Sequence, residues 1–90
     1  MYRISNYHIK QAKKLGVQIK PSTNKNKKID VYKNGVKIAS VGARGYNDFV
    51  SYKKKFGLPY AEKRRRAYYA RHKQNIIRNT PGYYAARILW

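Results

Sequence analysis

Apolar positions in the first twenty residues change period once. Ile4, Tyr7, Ala12 and Leu15, with His8 and Gln11 filling the same stripe, recur at helical spacing. Ser5 or Asn6 stands where such a helix needs a cap, and Gly16 stands where a left-handed residue ends one. Val17-Gln18-Ile19-Lys20 then alternates, which predicts a short strand. The stretch from Pro21 to Lys28 (PSTNKNKK) shows no period. It reads as a polar, lysine-rich loop, either a solvated connection or a positive finger that orders on a partner.

Lys28 to Ala43 reads as two alternating strands joined at Asn34-Gly35. Asn-Gly accepts positive φ at both central positions of a type I′ turn, the turn whose twist matches a hairpin. A two-residue loop pairs Lys33 with Val36, Tyr32 with Lys37 and Val31 with Ile38. One face then carries Ile29, Val31, Val36 and Ile38, and the other Asp30, Tyr32, Lys37, Ala39 and Val41. Two strands alone are marginal in water, so the apolar face must pack on a helix or a third strand.

Gly42-Ala43-Arg44-Gly45 reads as a turn with a basic tip. Asn47 or Asp48 can cap a short helix through Phe49, Tyr52 and Phe56, stopped by Gly57. Pro59 suits the first position of the longest helix, about Tyr60 to Arg78, and Glu62 in its first turn suits the helix dipole. Thr80-Pro81 caps a last helix, Gly82 to Trp90. The fold class expected is α+β: a small antiparallel sheet, the hairpin plus a third strand, packed with an N-terminal helix and two to three C-terminal helices in one domain, residues 1–90.

Charge changes the picture. The 90 residues carry 22 Lys and Arg against three acids, a formal charge of +19. On the roughly 5,500 Å² that a folded chain of this mass exposes, such density opposes compaction, and a polyanion relieves it. Hydrophobic residues at 42%, with ten tyrosines, are more than a disordered basic tail needs, so a folded domain is expected. Asp30, Asp48 and Glu62 are too few and too scattered to suggest a two-metal site or a catalytic carboxylate pair. Cysteine is absent, which removes disulfides, thiolate zinc sites and cysteine nucleophiles. No enzyme, cofactor, metal site or small-molecule substrate is expected. His8 and His72 do not read as a metal or general-base pair, and Arg71-His72 packs at the helix interface or donates to a phosphate. The apolar runs are too short to span a bilayer, and the first ten residues lack a signal-peptide core.

The candidate chemistry is therefore polyanion binding. Arg64, Arg65, Arg66, Arg71, Lys73 and Arg78, with Lys63, fall on the long predicted helix, and no nearby acids neutralise them. Guanidinium forks match phosphate oxygens, and lysine supplies a point charge. Lys25, Lys27, Lys28 and Arg44 form a second candidate patch. Tyr68, Tyr69, Tyr83, Tyr84 and Trp90 are its aromatic support. A chain with two Phe and one Trp must build its core from Tyr, with the phenols at the rim.

From Ile19 to Trp90 the chain resembles a family of small basic proteins of unknown function encoded by large double-stranded DNA viruses, chlorella viruses and their relatives among them. The most specific pieces are Tyr68 through Arg71-His72 and the closing Gly82-Tyr83-Tyr84-Ala85 with Leu89-Trp90. The resemblance implies a viral origin and a virion component, and the family has no established enzymatic activity to carry over. The hairpin and its following helix also look faintly like three-stranded-sheet DNA readers such as the plant AP2-type domain. The expectation is a non-enzymatic virion structural protein, a minor capsid or packaged basic component, whose cations bridge capsid proteins, the viral genome or the inner membrane surface. The alternative is a nucleic-acid-binding protein that contacts phosphates without strong sequence specificity.

Overall fold

The computed structural model describes residues 2–90, the side chain of Asn75 excepted. The α+β order is as expected. Helix α1 (Asn6–Leu15) precedes strands β1 (Gln18–Pro21), β2 (Lys27–Lys33) and β3 (Val36–Ala43). Helices α2 (Phe49–Phe56), α3 (Leu58–His72) and α4 (Pro81–Tyr84) follow, with a 3₁₀ turn at Lys73–Asn75 and a π-helical turn at Ala85–Leu89. The strands form one antiparallel sheet in the order β1-β2-β3.

Local signals account for most boundaries. Ser5 caps α1 in a capping box whose second member is His8, and Gly16 closes the helix in the left-handed region at φ 70°. Asp48 caps α2 in a second box with Ser51. Asn34 and Gly35, at φ 53° and 80°, make the turn between β2 and β3. The core is built from the sheet and the chain's two ends: Ala12, Val17, Ile29, Val31, Ala39, Val41, Tyr84, Ile88 and Leu89 are buried together. The α2–α3 pair lies outside that cluster and joins it through rings. Phe49 packs on Tyr7 and Tyr52 on Trp90, while the Tyr69 hydroxyl donates to the Ala86 carbonyl at 2.9 Å.

Three expectations are corrected. First, the hairpin register slips by one beyond its turn. Lys33 pairs with Val36 and Tyr32 with Lys37, but Val31 pairs with Ala39, leaving Ile38 as a bulge. The buried face is therefore Ile29, Val31, Ala39 and Val41, while Val36 and Ile38 are exposed. The slip satisfies a buried charge. It sets Ser40 opposite Asp30, where the Ser40 hydroxyl donates to Asp30 Oδ1 at 2.6 Å. An unslipped ladder sets Ala39 opposite Asp30 and turns Ser40 into the apolar face.

Second, the lysine-rich loop is ordered from within. Ser22 Oγ donates to Asp30 Oδ1 at 2.6 Å and accepts from the Asn24 N–H, and Asn24 Oδ1 accepts from the Asn26 N–H. Third, α3 stops at His72, six residues short of the expected Arg78. Asn75, Ile76, Ile77 and Asn79 are weak helix formers, and Asn79 turns left-handed at φ 67° to bring Thr80 into position as the cap of α4. Lys73 lies in the 3₁₀ turn and Arg78 in the bend beyond it.

The Cα radius of gyration is 12.4 Å, against about 12 Å for a folded chain of this length. No described helix is long and apolar enough to cross a membrane. The tightest backbone approach is at Gly42, φ 79°, where an added Cβ meets Leu89 Cδ1 at 2.6 Å and Lys28 Cδ at 3.0 Å. Positive φ and overpacking act together there, so Gly42→Ala is expected to cost about 2–4 kcal/mol in chemical denaturation.

Candidate polyanion-binding surface

The distribution of the three acids decides what the surface offers. Asp48 is 1% exposed. It accepts a hydrogen bond from the Tyr2 hydroxyl, pairs with Lys28 Nζ at 3.3 Å, and caps α2 by accepting from the Ser51 N–H at 3.1 Å. Lys28 is itself buried, donates also to the Tyr46 carbonyl and lies 5.3 Å from the Tyr2 ring centroid. Burial pushes the Asp48 carboxyl up, but the Tyr2 hydrogen bond, the Lys28 charge and the Ser51 N–H outweigh it and hold the group below its ordinary range. Tyr2 is pushed the other way, by burial and then by the carboxylate it serves.

Asp30 is likewise consumed internally. Burial alone raises it, yet donors from Ser22, Ser40 and the Thr23 N–H, with Lys37 Nζ at 3.6 Å, keep it below its usual value. Glu62, in the first half of α3, makes no ion pair among the described residues. Of the 22 Lys and Arg, Lys28 and Lys37 are paired with carboxylates, and the other 20 make no ion pair among the described residues. The exposed area is 6290 Å², about 330 Å² for each of the 19 net charges.

The expected site residues separate into three groups. Arg66, Arg71, Lys73 and Arg78 are exposed along α3 and the turn after it. Arg64 and Arg65 are half-buried because their guanidinium groups lie over rings, 5.4 Å from the Tyr52 centroid and 4.6 Å from that of Phe49. In the second patch, Lys25 and Arg44 are exposed and Lys27 half-buried. They meet at one end of the sheet, where Lys27 pairs with Ala43 and the Arg44 N–H donates to the Asn26 carbonyl at 3.1 Å. Lys28 does not belong to that patch: its charge is spent inside on Asp48.

The aromatic residues fill the roles of core and rim. Tyr84 is buried, with its hydroxyl on Asn79 Oδ1, and Tyr83 packs edge-on against it. Tyr68 stacks on Trp90 with centroids 4.7 Å apart and planes 14° apart, and Tyr7 donates to the Trp90 carbonyl. Burial raises both Tyr68 and Tyr69 above the usual phenol value.

Of the cluster Tyr2, His8, Lys28 and Asp48, only Lys28 is an expected site residue, and it is expected in the surface patch. Only the capping role of Asp48 has a local signature; the Tyr2 contact spans 46 residues and has none. No group of three His, Cys, Asp or Glu side chains that could hold a metal occurs among the described residues. Comparison with known proteins finds no matching family model, no matching curated protein and no matching solved structure.

His8 makes the cluster pH-sensitive. The Ser5 N–H can only donate, and it donates to His8 Nδ1 at 3.0 Å, so the neutral ring carries its proton on Nε2, 3.4 Å from the Tyr2 hydroxyl. Burial first, and Lys28 next, lower the His8 pKa from its ordinary 6.5 against the pull of Asp48. Below 6.5 the unfolded chain binds a proton that the folded chain refuses, so stability falls with falling pH, by at most about 1.4 kcal/mol per unit. His8→Gln keeps the capping box without titrating. Urea denaturation from pH 7 to 5 is expected to show a declining stability for the native chain and a flatter line for the variant. Below pH 3.8 the lowered Asp30 and Asp48 add further loss as each is protonated.

Proposed function

We propose that this protein is a non-enzymatic structural protein that binds a polyanion through a folded, rigidly placed cationic surface. One observation carries the reading: 20 of the 22 cationic side chains make no ion pair among the described residues, while two of the three acids are buried. Repulsion among unpaired cations raises the free energy of the isolated protein and is relieved when phosphates or carboxylates approach. Arg66, Arg71, Lys73 and Arg78 form the first contact zone, and Lys25, Lys27 and Arg44 the second.

The resemblance to small basic proteins of large DNA viruses supports a role in the virion, as a minor capsid or packaged basic component. Nucleic acid is the partner favoured, because Arg66, Arg71 and Arg78, exposed along α3 and the turn after it, offer guanidinium forks that match successive phosphates. Contacts of this kind hold phosphates without choosing sequence.

Fluorescence anisotropy with a labelled duplex of arbitrary sequence tests this between 50 and 200 mM salt. The logarithm of the association constant is expected to fall linearly with log[salt], with a slope of about −0.9 for each phosphate contacted. The double variant Arg66→Ala/Lys73→Ala is expected to flatten that slope by about 2. A slope near zero, or no binding even at 50 mM salt, overturns the nucleic-acid assignment and favours an acidic protein or membrane partner.

A further inference from the structure

A cleft of about 460 Å³ opens between α3, the loop after β3 and the C-terminal turn, within the size range of roughly 300–1,000 Å³ typical of sites for small ligands. One wall is a single face of α3: Arg64, Tyr68, Arg71 and His72 recur at i, i+4, i+7 and i+8. Tyr46 stands in the opposing loop, three-quarters exposed, and Trp90 lies deeper. His72, Tyr68, Trp90 and Tyr52 form a continuous run of rings with neighbouring centroids 4.4, 4.7 and 5.8 Å apart. Asp48 also reaches the lining, but Lys28 neutralises it.

The donors of this cleft are not spent. Arg64 Nε is a buried side-chain nitrogen with no hydrogen-bond partner, a costly state in a folded protein. Arg64 and Arg71 make no ion pair among the described residues. Unlike the open surface, the cleft combines the exposed Tyr46 ring and the edge of the Tyr68–Trp90 stack with the cations of α3. Aromatic walls take planar rings, worth about 1–3 kcal/mol per stacked base, and guanidinium forks take phosphate oxygens. A smooth duplex phosphate backbone uses only the second of these features.

We propose that the cleft holds one unpaired nucleotide, with its base on the exposed Tyr46 ring at the edge of the Tyr68–Trp90 stack and its phosphate on Arg64 and Arg71. The inference rests on the polyanion reading and names the unit of nucleic acid that this part of the surface takes. A nucleotide within a single strand and a free mononucleotide present the same chemistry.

Trp90 is the chain's one tryptophan, so its emission reports on the cleft directly. The native protein is titrated with adenosine 5′-monophosphate, adenosine, inorganic phosphate and a single-stranded oligodeoxyadenylate. Saturable quenching by the mononucleotide is expected, with weaker responses to adenosine and to phosphate alone. Tighter binding of the oligonucleotide that Tyr46→Ala also weakens identifies a strand as the source, and equal binding identifies the free nucleotide. Arg64→Gln is expected to weaken mononucleotide binding about tenfold or more. The exposed Tyr46→Ala, which leaves the core untouched, is expected to weaken it severalfold. The absence of saturable quenching by either nucleotide probe, or unchanged affinity in both variants, overturns the proposal. A duplex without unpaired bases is run in parallel. Salt-dependent duplex binding together with no Trp90 response to either nucleotide probe removes the cleft and leaves the polyanion surface, whereas loss of duplex binding as well removes both.

Discussion

The pair formed by Lys28 and Asp48 holds the molecule's arrangement of charge in place. A carboxylate taken out of water is expensive, and removing one partner of a buried pair typically costs more than the pair contributes. Here the cost is spread over several donors: Tyr2 from the N-terminus, Lys28 from β2 and the Ser51 N–H from α2, with His8 of α1 at 3.8 Å. Four separate segments are thereby referred to one atom group. The same contact occupies the α2 cap, so the direction in which the α2–α3 pair leaves the sheet depends on it. Asp30 does the equivalent work in the middle of β2, two residues on from Lys28, gathering the loop through Ser22 and Thr23 and setting the hairpin register through Ser40.

This use of acids has a consequence for the surface. A protein with three carboxylates and 22 cations could scatter the acids among the cations and soften its field. Two are instead placed where they fix backbone, and the field outside is left nearly unopposed. The α2–α3 pair contributes no residue to the central core cluster, and it is held by rings and by arginines lying over rings. Arg64 and Arg65 lay their guanidinium groups over the Tyr52 and Phe49 rings, a planar contact that lysine makes less well.

What was legible in the chain follows the range of the interaction. The Ser5 cap, Gly16, the Asn34-Gly35 turn and the Asp48 cap act within a few residues, and each stands where its pattern places it, while Pro59 falls at the second position of α3, which opens at Leu58. Failures begin where a local pattern competes with a distant partner. Alternation made Val36 and Ile38 look buried, but satisfying Asp30 required Ser40 opposite it and pushed Ile38 into a bulge. Lys28 sat in a run of lysines and looked like surface, although its partner lies twenty residues away. The stretch after His72 kept its cations but lost the helix, because charge spacing says nothing about propensity. The cationic character was fully readable; the cleft was not, because it needs α3, the loop after β3 and the final residue brought together.

Lysine reactivity toward an amine-modifying reagent, read residue by residue with and without duplex DNA, tests the central claim that two acids are spent inside and the cations outside are free. The account predicts that Lys28 stays unreactive in both states, and that Lys25 and Lys73 react in the free protein and are protected when DNA is bound. Labelling of Lys28 as fast as that of Lys25 in the free protein, or no protection of Lys25 and Lys73 by DNA, contradicts it.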